Sequence, residues 1–200
     1  ESCGLRYPLV VGQSFGTRCP ACLGETRIIL RRELIPEPAP PLTLTASPVK
    51  MGIAVLLDNI RSAWNAGSIL RSADGFGFSH AYLCGITPTP DNESVTKTSL
   101  GAEDSVPWSY HKDAIKLVKG LKKTGYKIYA LEENERAVEL RHYSSIPPNS
   151  ILIVGNEVTG VDPELLDSSD RVFYIPMLGE KRSFNVSIAF GIAAYALSTK

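Results

Sequence analysis

From Gly52 onward, short apolar runs alternate with stretches of helical periodicity. The runs at 52–57 (apolar from Ile53), 81–84, 126–131, 151–154 and 172–175 read as strands. Between the first two runs, residues 65–76 place Ile69, Leu70, Ala73 and Phe76 on one helical face, and 75–77 ends the helix with two glycines. A loop rich in proline and threonine at 87–99 leads into a short helix predicted at 95–103. Residues 111–124 are amphipathic, with Ile115, Leu117, Val118 and Leu121 inward and Lys112, Lys116, Lys119 and Lys123 outward. The lysine stripe reads as a solvated face, with contact to RNA phosphate as the alternative. Asp162 and Pro163 read as N-cap and first residue of a short helix. Strands alternating with helices predict an α/β fold, a parallel sheet flanked by helices.

The stretch 172–197 organises the rest. Pro176 stops its strand, because proline has no backbone donor to continue a ladder. A polar loop with Lys181 and Arg182 follows, and Asn185 is placed to cap a helix over 186–197. That helix is apolar nearly all round, so it is expected to be buried in a core or against a second subunit. Phe190, Ile192, Ala194 and Tyr195 point in different directions, and Ala189, Gly191, Ala193 and Ala196 would admit a second helix closely. A homodimer is expected.

The 200 residues allow one or two domains, and 44% hydrophobic with 21% charged residues is globular composition. No apolar run reaches the roughly 20 residues of a membrane span. The opening residues lack the pattern of a signal peptide, so a cytoplasmic protein without a membrane partner is expected. Formal net charge is +0, so nucleic-acid binding must rest on a local patch. The first 50 residues are mildly basic, and a solvated face explains that equally well. The stretch 35–48, with Pro36, Pro38, Pro40, Pro41 and Pro48, reads as a semi-rigid linker between an arm at 1–34 and a main domain at 49–200. In the arm, Cys19 and Cys22 form C-x-x-C and Cys3 lies nearby, a zinc-ribbon-like pattern. Zinc ribbons carry two such pairs, and a partner for Cys3 would fall just before Glu1, so the chain is expected to begin inside the first knuckle. The alternatives are a redox dithiol or inert cysteines. Cys84 stands apart and reads as a core thiol.

Neither G-x-G-x-x-G nor G-x-x-x-x-G-K-[ST] occurs, which argues against a dinucleotide or P-loop enzyme. Three other stretches stand in order: Asn65, Gly67 and Arg71; Gly155, Asn156, Glu157 and Gly160 after a strand; and Ile175, Pro176 and Met177, then Ser183, Asn185 and Val186 opening a helix. In this order and spacing the chain, over roughly residues 52–200, resembles the SPOUT superfamily of RNA methyltransferases, in its SpoU (TrmH-like) branch. Phe184 stands where leucine is usual and keeps the position apolar.

The resemblance implies a C-terminal deep trefoil knot in which S-adenosylmethionine binds bent. It implies a homodimer and methyl transfer to a ribose 2′-hydroxyl of tRNA or rRNA, with no DNA partner. The loops holding Gly155, Asn156, Glu157, Gly160, Ile175, Met177, Leu178, Ser183, Phe184, Asn185 and Val186 are then expected to hold the cofactor. Asn65, Arg71, Glu157, Ser183 and Asn185 are the catalytic candidates. Arg71 is the family's candidate for helping to deprotonate the hydroxyl. A guanidinium is a poor base, and gripping an RNA phosphate bidentately is physically easier. A noncatalytic RNA-binding module retaining the fold is the alternative, against which the intact Arg71, Glu157 and Asn185 argue.

Overall fold

The computed structural model describes residue 3 and residues 18–28 and 52–198. The chain divides into two compact units, Glu1–Ala39 and Pro40–Lys200. The proline-rich stretch 35–48 lies outside the described residues.

In the larger unit, seven parallel strands form one sheet. They are β1 (Ile53–Asp58), β2 (His80–Cys84), β3 (Trp108–His111), β4 (Lys127–Leu131), β5 (Val138–Glu139), β6 (Ser150–Val154) and β7 (Arg171–Tyr174), in the order β3-β2-β1-β6-β4-β7-β5. The helices are α1 (Ala63–Gly75), α2 (Glu93–Ser99), α3 (Ala102–Ser105), α4 (Ala114–Lys123), α5 (Pro163–Ser168) and α6 (Val186–Ser198). The sheet has a separate core on each face. Val55, Leu57, Leu152 and Val154 pack with α1 and α6 residues such as Leu70 and Phe190. Ala54, Leu56, Ile151 and Ile153 pack on the other face with Val118 of α4 and Leu165 of α5. β1 and β6 therefore read as continuous apolar runs, as a sheet covered on both faces requires.

The expected strands and helices are present, with shifted ends and two additions. β3 and β5 are edge strands of four and two residues without an apolar run, so no period announced them. The helix expected over 95–103 is two helices, α2 and α3. Leu100 (φ 52°) and Gly101 (φ 91°) both adopt left-handed backbone, which no helix passes through. Residues 87–92 are a loop, but α2 begins within the expected loop because the Asn92 side chain accepts from the Ser94 N–H. His111 belongs to β3, and Asp113 caps α4 by accepting from Lys116 N–H at 2.9 Å. The lysine side of α4 turns partly toward α5, where Lys119 meets Glu164 at 3.4 Å and Lys122 donates to the Ser168 carbonyl at 2.6 Å. Cys84 is fully buried, and burial beside Asp58 pushes its thiol up to about 12.

The apolar circumference of α6 is only partly covered by its own chain. Phe190, Ala193, Ala194 and Leu197 are buried. Ile188, Ile192 and Tyr195, at i, i+4 and i+7, stay 55%, 38% and 64% exposed. Ala193, grouped above with the small residues available to a second helix, belongs to the chain's own core.

Candidate active site

β1, β6, β4 and β7 end on one edge of the sheet, and the loops leaving them build the site. β1 leads to α1 on one face and β6 leads to α5 on the other. Adjacent parallel strands whose connections part to opposite faces open a crevice at their carboxyl ends.

Glu157, in the β6–α5 loop, bridges that crevice. Its Oε2 accepts from the Arg61 N–H at 2.8 Å, and its Oε1 from the Ser62 N–H at 3.0 Å and the Asn65 side-chain amide at 2.8 Å. Partial burial pushes its pKa up. The Arg61 N–H, the Asn65 amide, its own N–H and the Ser62 N–H outweigh burial and hold the carboxyl below its ordinary value. Glu157 is thus an anion that accepts hydrogen bonds at the start of α1.

Asn65 connects the second and third motifs. Its amide nitrogen is held by Glu157, and its Oδ1 accepts from Asn185 Nδ2 at 3.0 Å. The Oδ1 of Asn185 accepts from the N–H and hydroxyl of Ser187 at 2.9 and 2.7 Å, which caps α6. The three motifs therefore meet in one hydrogen-bonded chain.

The loop after β6 is shaped by its neighbours. Asn156 donates to the Asn59 carbonyl at 2.7 Å and accepts from Val158 and Thr159 N–H. Gly160 (φ 73°) turns the chain back so that its backbone and that of Asn156 pair in both directions. A Cβ on Gly155 would run into the backbone of Gly160 and Val161, so only glycine fits there. Gly67 of the first motif lies elsewhere: it lets α1 press against α2, where a Cβ would strike Thr98 and Val95.

A cleft of about 460 Å³ lies between the ends of β4, β6 and β7 and the segment 182–186. Among the cofactor candidates, Gly155, Asn156, Glu157, Gly160, Ile175, Met177, Ser183, Phe184, Asn185 and Val186 line it. Leu178 does not; it is fully exposed. Arg71 lies on the exposed outer side of α1 and does not line the cleft. It follows Asn65 by six residues, about 9 Å along the axis and about 120° around it.

Several residues of the site escaped the sequence reading. Glu132 and Glu133 follow β4 at the cleft edge, and Glu132 accepts from the Val161 N–H at 3.0 Å, bracing the Gly160 turn from behind. Tyr174 contributes the end of β7. Asp58, 2% exposed, accepts from the Asp162 N–H at 2.9 Å and from Asn59 Nδ2. Burial raises its pKa, the Asp162 and Asn59 hydrogen bonds oppose that, and the Asp162 charge adds to it. Residues just past the ends of parallel strands could have been nominated by position alone.

The smaller unit holds the cysteine group. Cys19 and Cys22 flank a turn in which Leu23 (φ 57°) donates to the Cys19 carbonyl at 2.9 Å and Cys19 N–H donates to the Gly24 carbonyl at 2.8 Å. The Gly24 N–H and the Cys3 and Cys19 side chains pull the Cys22 thiol down to about 7.

The family model described as the SpoU rRNA Methylase family matches residues 52–195. A tRNA (guanosine(18)-2′-O)-methyltransferase of Thermus thermophilus is 32% identical over 143 residues, 72% of this chain and 72% of that protein. The 23S rRNA (guanosine(2553)-2′-O)-methyltransferase RlmP of Bacillus subtilis is 31% identical over 145 residues, 72% of this chain and 56% of that protein. The AdoMet-bound rRNA methyltransferase from Sinorhizobium meliloti superposes with a TM-score of 0.68 at 26% identity, over 72% of this chain and 55% of that one. The chain thus spans little more than half the length of the latter two.

Proposed function

The chain belongs to the SpoU rRNA Methylase family, and we propose that it transfers the methyl group of S-adenosylmethionine to a ribose 2′-hydroxyl of tRNA or rRNA. The observation that carries this reading is the Glu157–Asn65–Asn185 chain at the mouth of the cleft. It joins an anion, two amides and a helix start from three distant stretches in one place, with both oxygens of the carboxylate engaged.

The cleft fits the cofactor in size and chemistry. Its volume lies within the roughly 300–1,000 Å³ of small-molecule sites. Ile175, Met177, Phe184, Val186 and Ala189 offer an apolar slot, and the 154–158 backbone supplies polar groups. When bound, S-adenosylmethionine supplies a methyl group already activated on a sulfonium.

The protein's remaining tasks are to align an acceptor hydroxyl and move its proton. Glu157 orients Asn65 and fixes the first turn of α1 against the β6 loop. Asn65 in turn orients Asn185, and Ser183 stands beside it on the cleft wall. Arg71 grips RNA phosphate and helps stabilise the alkoxide as the proton leaves. It does so on the cleft of a second subunit, because α1 directs it away from its own Asn65. The protein is accordingly a homodimer, with the exposed Ile188, Ile192 and Tyr195 of α6 at the two-fold contact. The segment after β7 forms a deep trefoil knot around the cofactor loops, and the N-terminal unit is a zinc-ribbon-like arm. A ribose 2′-hydroxyl excludes DNA as acceptor. Among the described residues no helix is long and apolar enough to cross a membrane.

The experiment is methyl transfer from labelled S-adenosylmethionine to RNA of a strain lacking the protein, followed by mapping of the modified nucleotide. A 2′-O-methyl group restored at one nucleotide is the expected result. Failure to label RNA by a protein that binds the cofactor would leave the noncatalytic module instead.

A further inference from the structure

Three cysteines of the N-terminal unit take no part in the methyl-transfer site. We propose that Cys3, Cys19 and Cys22 bind one zinc ion as thiolates. Their Sγ atoms all lie within 4.8 Å of one another, and those of Cys3 and Cys19 are 3.6 Å apart. A tetrahedral zinc with bonds of about 2.3 Å spaces its sulfurs about 3.8 Å apart. A disulfide needs about 2.05 Å. The sulfurs stand at ligand spacing.

The backbone around them is a separate observation. The bonds from Leu23 N–H to Cys19 O and from Cys19 N–H to Gly24 O fold the C-x-x-C into a tight knuckle. Arg18 and Glu25 pair antiparallel on either side of it. The knuckle turns the Gly24 N–H onto the Cys22 sulfur, and a Cβ on Gly24 would stand 3.3 Å from that sulfur. Amides donating to sulfur stabilise the thiolate form that a metal needs. A redox dithiol sets its C-x-x-C at the start of a helix. Here the motif itself forms a turn, a bridge follows it, and a third sulfur closes on it.

On binding, three zinc–sulfur bonds form and three thiol protons pass to solvent. The three thiolates leave the fourth tetrahedral position to water. The metal staples a unit too small to be held by a core of its own. The proposal stands apart from the methyltransferase reading.

The test is metal analysis of the whole chain purified under reducing conditions. About one zinc per chain is expected, with three sulfur neighbours by X-ray absorption. Cys19→Ser and Cys22→Ser should each abolish retention, whereas Cys84→Ala should keep it. Cofactor binding measured on the same samples shows that the larger unit is folded, so loss of metal reports the knuckle alone. Cobalt substitution should give a sulfur-to-metal charge-transfer band that disappears in both serine variants. Reduced protein that takes up no added zinc, a Cys3–Cys19 disulfide in its place, or zinc retained by both serine variants would each overturn the assignment.

Discussion

Asn65 Oδ1 accepts from Asn185 Nδ2 at 3.0 Å across 120 residues of chain. This contact joins the first turn of α1 to the start of α6, and Glu157 holds the other end of the same amide. Removing either asparagine should loosen both helix starts at once.

We therefore expect Asn65→Ala and Asn185→Ala each to lower kcat about 100-fold, the scale of a 1 Å misplacement. The double variant should be little worse than either single one, because the two act as a unit. Steady-state kinetics of all four proteins checks this; losses that multiply would show two independent roles.

Glu157→Gln should destabilise the fold at neutral pH and cost less in acid. The folded-state pKa lies below the ordinary value of 4.5, with burial opposed and outweighed by the Arg61, Asn65 and Ser62 hydrogen bonds. Such a group contributes stability that is full above its unfolded value and is lost as pH falls through the folded one. Denaturation of wild type and variant should converge only once pH has fallen below the folded-state pKa, itself under 4.5. A difference independent of pH would mean that charge has no part in it.

Arg71→Ala should abolish methylation while leaving cofactor affinity nearly unchanged, since Arg71 does not line the cleft. Mixing it with Asn185→Ala should restore about a quarter of wild-type activity if subunits exchange at random, because half the dimers then carry one intact site. No recovery on mixing, with exchange verified, would put Arg71 at its own subunit's cleft.

Light scattering should return about twice the 21.7 kDa chain mass. Ile192→Glu, on the exposed stripe of α6, should shift it to the chain mass and abolish methylation, while Lys97→Glu on exposed α2 should change neither. An Ile192→Glu dimer that remains intact would remove α6 from the interface.

Much of this could be read from the residues in order. Long apolar runs announced β1, β6 and β7, because strands buried on both faces leave no polar position to blur the signal. Asn185 and Asp162 were legible as helix starts, and capping is local chemistry. The three motifs pointed to loops that share one cleft, and ten of the eleven residues nominated as cofactor-binding line it. Local patterns failed where structure was short or depended on backbone sign. β3 and β5 have too few residues for a period, and the break between α2 and α3 lies in the left-handed Leu100. What the tertiary structure alone decided is the meeting of Asn65, Glu157 and Asn185. β6 inserts between β1 and β4, although it follows both in sequence. That places the Glu157 loop beside the start of α1, 92 residues away. Strand order is settled by how the two faces of the sheet are covered, an energy that belongs to the whole core and to no single stretch of chain. For the same reason Glu132 and Asp58 went unnoticed: each accepts from a backbone amide that another segment brings to it.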